Sequence, residues 1–504
     1  MPERDLVIGV DCSTTAAKAV VWDPSGQALA TGRAEFALVH PAPSRAEQNA
    51  EDWWTATATA VRRAVQAVPV ERIAALCITH QRETFACLDT AARPLRPAMI
   101  WADTRATAEV ETYGTAEVHR ITGKPPNPTP AWYKMLWLAR HEPETLQRTA
   151  KVVDVQGFLV HRLTGEWRTS WASADPLGLV DLTTFDYDEG LLDQVGLRCS
   201  QLCELVPPGA QLGVVSDAVC AELGVPQGLP VIAGIGDGQS AQLGCGITAP
   251  GAAYLNLGTG IVSGTFSEQY AHSMKFRTLA AGVPGAYTLE TFIGGGTYNV
   301  RWFVERFAGV DTRALGLELS PEQVLEAAAA LLPPGAHGLL ALPYWTGALT
   351  PFWDHNARGA LIGLNGMHGK SHVYRALLES IAFEQRLLTT GAEEATGEPI
   401  AKLIALGGGS RSRVWCQIIA DVLQRTVQVV REPESTCLGA GMLAAAAAGI
   451  HPTIVEAATK MSGEGVAFAP DASNGPVYDE LYEVYCDIYP SLRGVFSRLA
   501  KVQS

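Results

Sequence analysis

At 504 residues, with a formal charge of −14 and 47% hydrophobic residues, the chain is too long for one ordinary core and has ample apolar content for two large domains. The acidic balance and the lack of any Lys/Arg run exclude nucleic acid or an anionic membrane as the main partner, so a phosphorylated ligand needs local Lys, Gly and metal. Ten scattered cysteines lack CxxC spacing and read as reduced, mostly structural thiols.

Met1 to Asp5 leads straight into a strand-like run, Leu6 to Val10, with neither the basic start nor the apolar core of a secretory signal, and a cytoplasmic location is the default expectation. The run ends in Asp11-Cys12-Ser13-Thr14-Thr15 and is followed by a second run, Ala19 to Trp22, which predicts a hairpin with exposed N–H groups and hydroxyls at its tip. Asp11, the hydroxyls of Ser13, Thr14 and Thr15, and the amine of Lys18 suit Mg²⁺ and phosphate oxygens, although a capped turn with a surface lysine reads equally well. After the turn Asp23 to Gly26 and a third run, Ala28 to Ala34, a helix is predicted from an Asn49 cap, with Trp54, Ala58, Val61, Val65 and Val68 on one face up to Pro69.

Ile73 to Thr79 is apolar at nearly every position, as a strand covered on both faces would be. It runs into His80-Gln81-Arg82-Glu83-Thr84, where Arg82 and Glu83 can grip vicinal hydroxyls or simply close a salt-bridged strand end. Trp101-Ala102-Asp103-Thr104-Arg105 repeats the theme and adds an aromatic face that suits sugar C–H groups, or a core. Strand-like and helical runs then alternate through Val152-Val153 and Pro230 to Ile235, a mixed α/β pattern. In Gly234-Ile235-Gly236-Asp237-Gly238-Gln239 a carboxylate stands among glycines just after a strand, the place for a general base; the alternative is a solvated turn aspartate.

Gly246 to Ala252 reads as a linker, dividing the chain into domains 1–248 and 249–504. A second strand-turn-strand follows, with Leu257-Gly258-Thr259-Gly260 at its tip, so the two halves match. Gly294-Gly295-Gly296 precedes a helical stretch, Tyr298 to Phe307, and Leu339–Leu342 and Leu403–Leu406 read as further strands. Gly407-Gly408-Gly409-Ser410 leads into an amphipathic helix carrying Val414, Ile418, Ile419 and Val422, whose N-terminus can face a nucleotide. The alanine-rich stretch Gly439 to Ile450 is too short to span a bilayer and reads as a packed helix.

Together these segments resemble the FGGY carbohydrate kinases. The most specific match is Gly359-Ala360-Leu361-Ile362-Gly363-Leu364, then seven residues, then His372-Val373-Tyr374-Arg375-Ala376-Leu377-Leu378-Glu379, which fits that family's C-terminal pattern. The resemblance implies a two-lobed α/β, actin-like fold of duplicated ribonuclease H-like domains around a central cleft, with ATP and Mg²⁺ and a small sugar or polyol as partners, and a homodimer. It implies that Asp237 is the catalytic base and that Asp11 and Asp237 hold Mg²⁺. ATP would lie against Ser13, Thr14, Thr15, Lys18, Gly258, Thr259, Gly260, Gly407, Gly408, Gly409 and Ser410. Substrate would lie against Arg82, Glu83, Trp101, Asp103 and Asp237, with Gln239 supplying an amide. Three positions depart from the family pattern: Cys12-Ser13 replaces an apolar residue and Gly, Ala131 to Trp137 fits only partly, and Gly238 stands where xylulose kinases carry Asn and glycerol kinases Gln. Gln81 to Thr84, Trp101 and Asp103 to Arg105 look like glycerol kinases, whereas Thr129 departs from them and Leu136 to Pro143 resembles xylulose kinases, which leaves a ketopentose or a glycerol-type polyol open. The competing reading is an actin-like ATP-binding assembly or regulatory protein without sugar kinase activity.

Overall fold

The computed structural model describes residues 4–309 and 318–503; of the N-terminal reading, Met1 to Glu3 lie outside them. Two sheets are built on one plan. In the first, β1 (Leu6–Cys12), β2 (Ala16–Trp22) and β3 (Ala28–Glu35) form an antiparallel meander, β4 (Ile73–His80) runs parallel to β1, and β5 (Gln211–Val214) is an antiparallel edge beside β6 (Pro230–Ile232). Their order is β5-β6-β4-β1-β2-β3. The second sheet takes β7 (Ala252–Leu257), β8 (Ile261–Ser267), β9 (Arg277–Ala280), β10 (Tyr287–Ile293), β11 (Lys402–Leu406), β12 (Thr426–Val430) and β13 (Glu464–Phe468) in the order β9-β10-β8-β7-β11-β12-β13. Here β7 is antiparallel to β8 and parallel to β11, as β1 is antiparallel to β2 and parallel to β4. The repeat gives the two-lobed, mixed α/β architecture with duplicated cores that the sequence resemblance implied.

Parallel pairing at the sheet centre requires crossover connections and cover on both faces, hence the apolar runs. Helix α1 (Ala50–Val65) lies on one face of the first sheet, capped by Asn49 Oδ1, which accepts from Glu51 N at 3.3 Å. It buries Trp53, which the spacing did not mark, packs the partly buried Trp54 against the same core, and ends at Val65, four residues before Pro69. The other face is covered by α2 (Asp237–Gly244) and α3 (Ser435–Ala447), whose buried Leu243, Leu438 and Met442 meet Val7, Val20 and Ala75. The alanine-rich helix of the C-terminal half is thus packed beneath the N-terminal sheet, and tight packing crosses the division drawn in the sequence at 248. Small residues allow it: a Cβ on Gly439 would stand 2.0 Å from the Ser240 carbonyl oxygen. Among the described residues no helix is long and apolar enough to cross a membrane, and the cysteines are free.

The first hairpin is tighter than expected, while the second turns at Gly258 to Gly260 as expected. β1 and β2 extend to Cys12 and Ala16, leaving Ser13 to Thr15 as the turn, and register places Asp11 directly opposite Lys18. Both residues therefore sit on rigid strand ends rather than in a loop.

Candidate active site

The carboxyl ends of parallel strands in an open α/β sheet leave a crevice where ligands bind. Here the pairing of β1 with β4 sets Asp11 beside Thr79 and Cys12 beside His80, and a further bridge joins His80 to Gly236. Asp237 follows as the first residue of α2, so two strand ends and a helix start deliver Asp11 and Asp237 to one place. The Asp11 Oδ1 atom is buried and accepts no hydrogen bond. Burial, and then the neighbouring charge of Asp237, push the Asp11 carboxyl up to about 8, with Lys18 opposing. An orphaned carboxylate oxygen beside a second carboxylate is a donor set that Mg²⁺ fits, since that ion takes one or two carboxylates and fills its shell with water and phosphate oxygens.

Around the first hairpin, Lys18 Nζ reaches Glu434 Oε2 of the other half at 2.5 Å. Ser13 Oγ donates to Ala16 O at 2.9 Å, closing the turn, and Thr14 Oγ1 accepts from Trp101 Nε1 at 2.9 Å. Thr15 is exposed. Trp101, 37% exposed, is anchored to the hairpin with its ring still open.

Arg82 and Glu83 leave the end of β4, Glu83 with φ of 53°, a conformation costly for a residue with a side chain. Arg82 Nε contacts Asp237 Oδ1 at 2.7 Å, and Arg82 Nη1 meets Glu290 Oε2 of β10 at 2.8 Å. Arg277 of β9 contacts Glu290 Oε1 at 2.5 Å through Nη2 and Glu83 Oε1 at 2.6 Å through Nη1, and Tyr254 Oη donates to Glu290 Oε2 at 2.6 Å. Burial works against both charges, but partners outweigh it: the carboxylates of Glu290, Asp237 and Glu83 hold Arg82 above its usual range, and Arg277 and Arg82 bring Glu290 down to about 2. Asp237 is the open end of this chain, its side chain 38% exposed, with Oδ1 also accepting from Gly238 N at 2.8 Å.

Two expected substrate contacts are enclosed by the protein. Asp103 is fully enclosed, accepting from Ala46 N at 2.8 Å and from Arg105 Nε at 2.8 Å, so it fixes a turn. Gln239 is also enclosed: its Nε2 donates to Ala172 O at 2.9 Å and Ala280 O at 3.3 Å, bridging the halves, while its buried Oε1 has no hydrogen-bond partner.

At the second hairpin Thr259 O accepts from Gly296 N at 2.8 Å, while Gly258 O accepts from Thr297 N and Thr297 Oγ1, both at 2.9 Å. The helical stretch foreseen from Tyr298 to Phe307 is a helix, Thr297–Phe303, continued by a wider turn to Ala308. Gly407 has φ of 82°, and Ser410 Oγ donates back to its carbonyl at 2.8 Å. Gly408 has open space where a side chain would stand. The turn leads into a helix, Arg413–Leu423, capped by Ser412 and burying Ile418, Ile419 and Val422 as expected.

Family comparison agrees with this geometry. The N-terminal domain model of the FGGY family of carbohydrate kinases matches residues 6–244, and its C-terminal domain model matches residues 253–448. The chain belongs to the FGGY family of carbohydrate kinases. It is 29% identical to a xylulose kinase of Bacillus subtilis over 96% of each chain, and 27% identical to a gluconokinase of the same organism over 99% of this chain and 98% of the other. Among solved structures, the xylulose kinase of Rhodospirillum rubrum superposes with a TM-score of 0.90 at 28% identity, covering 98% of this chain and 100% of that one. The gluconate kinase of Lactobacillus acidophilus gives 0.92 at 25% identity, covering 98% and 99%. This FGGY protein is therefore an ATP-dependent carbohydrate kinase acting on a small sugar-type substrate.

Sequence reasoning missed Tyr254, Arg277, Glu290 and Glu434. Each joins the site from the far half of the chain, Glu434 lying 416 residues from Lys18 and Glu290 208 from Arg82. Arg277 and Glu290 sit in ordinary-looking strands, where only the pairing of β9 and β10 opposite β4 reveals their task.

Proposed function

We propose that this FGGY kinase transfers the terminal phosphoryl group of Mg-ATP to a primary hydroxyl of a small sugar or polyol, a ketopentose or a glycerol-type polyol, with Asp237 as general base. The observation that carries it is the single open carboxylate of the charged chain. Asp237 Oδ1 is held by Arg82 Nε at 2.7 Å and Gly238 N at 2.8 Å, which fixes the side chain and leaves Oδ2 to accept the proton of an attacking hydroxyl. Phosphoryl transfer asks little covalent chemistry of the protein, so positioning and charge dominate. Asp11 and Asp237 would hold Mg²⁺, which when bound supplies charge neutralisation to the phosphate oxygens. Lys18, Thr14 and Thr15 on the first hairpin, and the backbone of Gly258 to Gly260 and Gly407 to Ser410, would hold the nucleotide, and Trp101 would offer its ring to the acceptor.

Purified protein with Asp237→Asn should bind ATP with near-normal affinity and lose acceptor-dependent ADP release. Normal turnover by that variant would remove Asp237 from its role.

A further inference from the structure

Glycine at 238 is explained by what lies beside it. A Cβ there would stand 2.4 Å from Glu290 Oε2 and 2.9 Å from Arg82 Nη1, while a Cβ on Gly236 would stand 2.5 Å from the Arg82 side-chain carbons. Arg82 thus runs alongside Asp237 between two glycines, and Glu290 of the opposite lobe fills the space that a residue-238 side chain would need. A side chain at 238 would require the ends of Glu290 and Arg82 to leave their present ion pair.

The charged groups of the filled space are also already engaged with one another. Asp237, Glu290, Glu83 and Asp175 bring four carboxylates, and Arg82, Arg277 and Lys124 three cations, each cation already in contact with a carboxylate: Arg82 with Asp237 and Glu290, Arg277 with Glu290 and Glu83, Lys124 with Asp175. Lys134, also enclosed, donates its ammonium protons to the Ile100 and Thr129 carbonyls at 3.0 and 2.7 Å. An anionic acceptor would find each of these four cations already engaged by a carboxylate or a carbonyl, and no net positive charge to receive it. Hydroxyl groups, which both donate and accept, can join such a chain without unbalancing it.

Resting on the kinase reading above, we propose that Glu290 and Arg277 are specificity-determining residues, which replace the residue-238 amide and restrict the acceptor to neutral hydroxyl compounds, excluding sugar acids. Glu290 acts through two links: it sets Arg82 against Asp237, and it keeps Arg277 from serving as a carboxylate receptor.

The test has two arms. In the first, ADP release by the wild-type protein is compared for glycerol, erythritol, xylulose, ribulose and gluconate. The expected kcat/KM for gluconate is at least 100-fold below that of the best neutral acceptor, and Glu290→Gln, which keeps the shape and removes the charge, should narrow this gap at least tenfold. Equal use of gluconate by the wild type, or an unchanged gap in Glu290→Gln, overturns the inference, whereas no response to any acceptor overturns the kinase reading itself. The second arm needs no turnover. Gly238→Ala should lower the melting temperature clearly in the wild-type background and less in Glu290→Ala, since the nearest colliding group is gone and only Arg82 remains; equal effects in both backgrounds would show that Gly238 and Glu290 are not a matched pair.

Discussion

The two hairpins occupy the same place in the two repeats, yet only the first carries charge. Between β1 and β2 stand Asp11 and Lys18, opposite each other in register, with Glu434 reaching in from the other half. Between β7 and β8 stand Gly258, Thr259 and Gly260, the first two of whose carbonyls accept from the start of the helix at Thr297. Duplication of a fold thus repeats a backbone cradle without repeating chemistry. The first copy carries side chains suited to metal and proton work, and the second presents an uncharged turn with no room for a side chain at Gly260.

The difference can be broken most severely at the first site. Asp237→Asn should lower kcat by ~10²–10⁴-fold, the usual worth of a positioned base, with ATP affinity held within a few-fold by calorimetry. Next comes Asp11→Asn, expected to cut Mg²⁺-dependent turnover by ~100-fold and yet to raise the melting temperature at pH 8. The sign follows from the direction of the shift. Asp11 has a folded pKa raised to about 8, so its ionised form opposes folding and the protein loses stability as pH rises from the unfolded value through about 8. Glu290 on the second sheet has the opposite sign: lowered to about 2, its contribution is present above the unfolded carboxylate value and is lost as pH falls through about 2. Melting curves of Asp11→Asn and Glu290→Gln between pH 3 and 8 should therefore diverge in opposite directions from the wild type.

At the second hairpin the prediction is steric. A Cβ on Gly260 would meet the Phe292 ring at 2.7 Å and Ile293 O at 3.1 Å, whereas one on Gly258 meets nothing closer than 3.3 Å. Gly260→Ala should raise the KM for ATP by ~10-fold, a cost of about 1.4 kcal/mol, and Gly258→Ala should stay within threefold. The smallest effect is expected from Glu434→Gln. It loosens a partly exposed partner of Lys18, and the KM for ATP should change less than threefold, since ion pairs open to water contribute ~1 kcal/mol or less.

Much of the fold was legible. Alternation of short apolar runs with glycine-rich turns marked both hairpins, and the cap at Asn49 and the amphipathic stretch after Ser410 marked real helices. The limits are equally physical. Trp53 and Trp54 are adjacent, and helical periodicity marked only Trp54, although Trp53 is the one fully buried and Trp54 packs at the edge of the same core. Of the candidate substrate residues, Arg82, Glu83 and Trp101 converge with Asp237 or the first hairpin, while Asp103 and Gln239 are enclosed by neighbours that their local sequence does not contain, Ala46 and Ala280 among them.

By itself the sequence determined the elements, the duplicated plan, the family and the glycine-framed aspartate, because these depend on residues close together in the chain. Only the tertiary structure decided which side chains stay open to a ligand and why residue 238 has no side chain. Those outcomes depend on Glu290 and Arg277 arriving from strands of the second lobe, and charge balance in a buried cluster is set by neighbours in space.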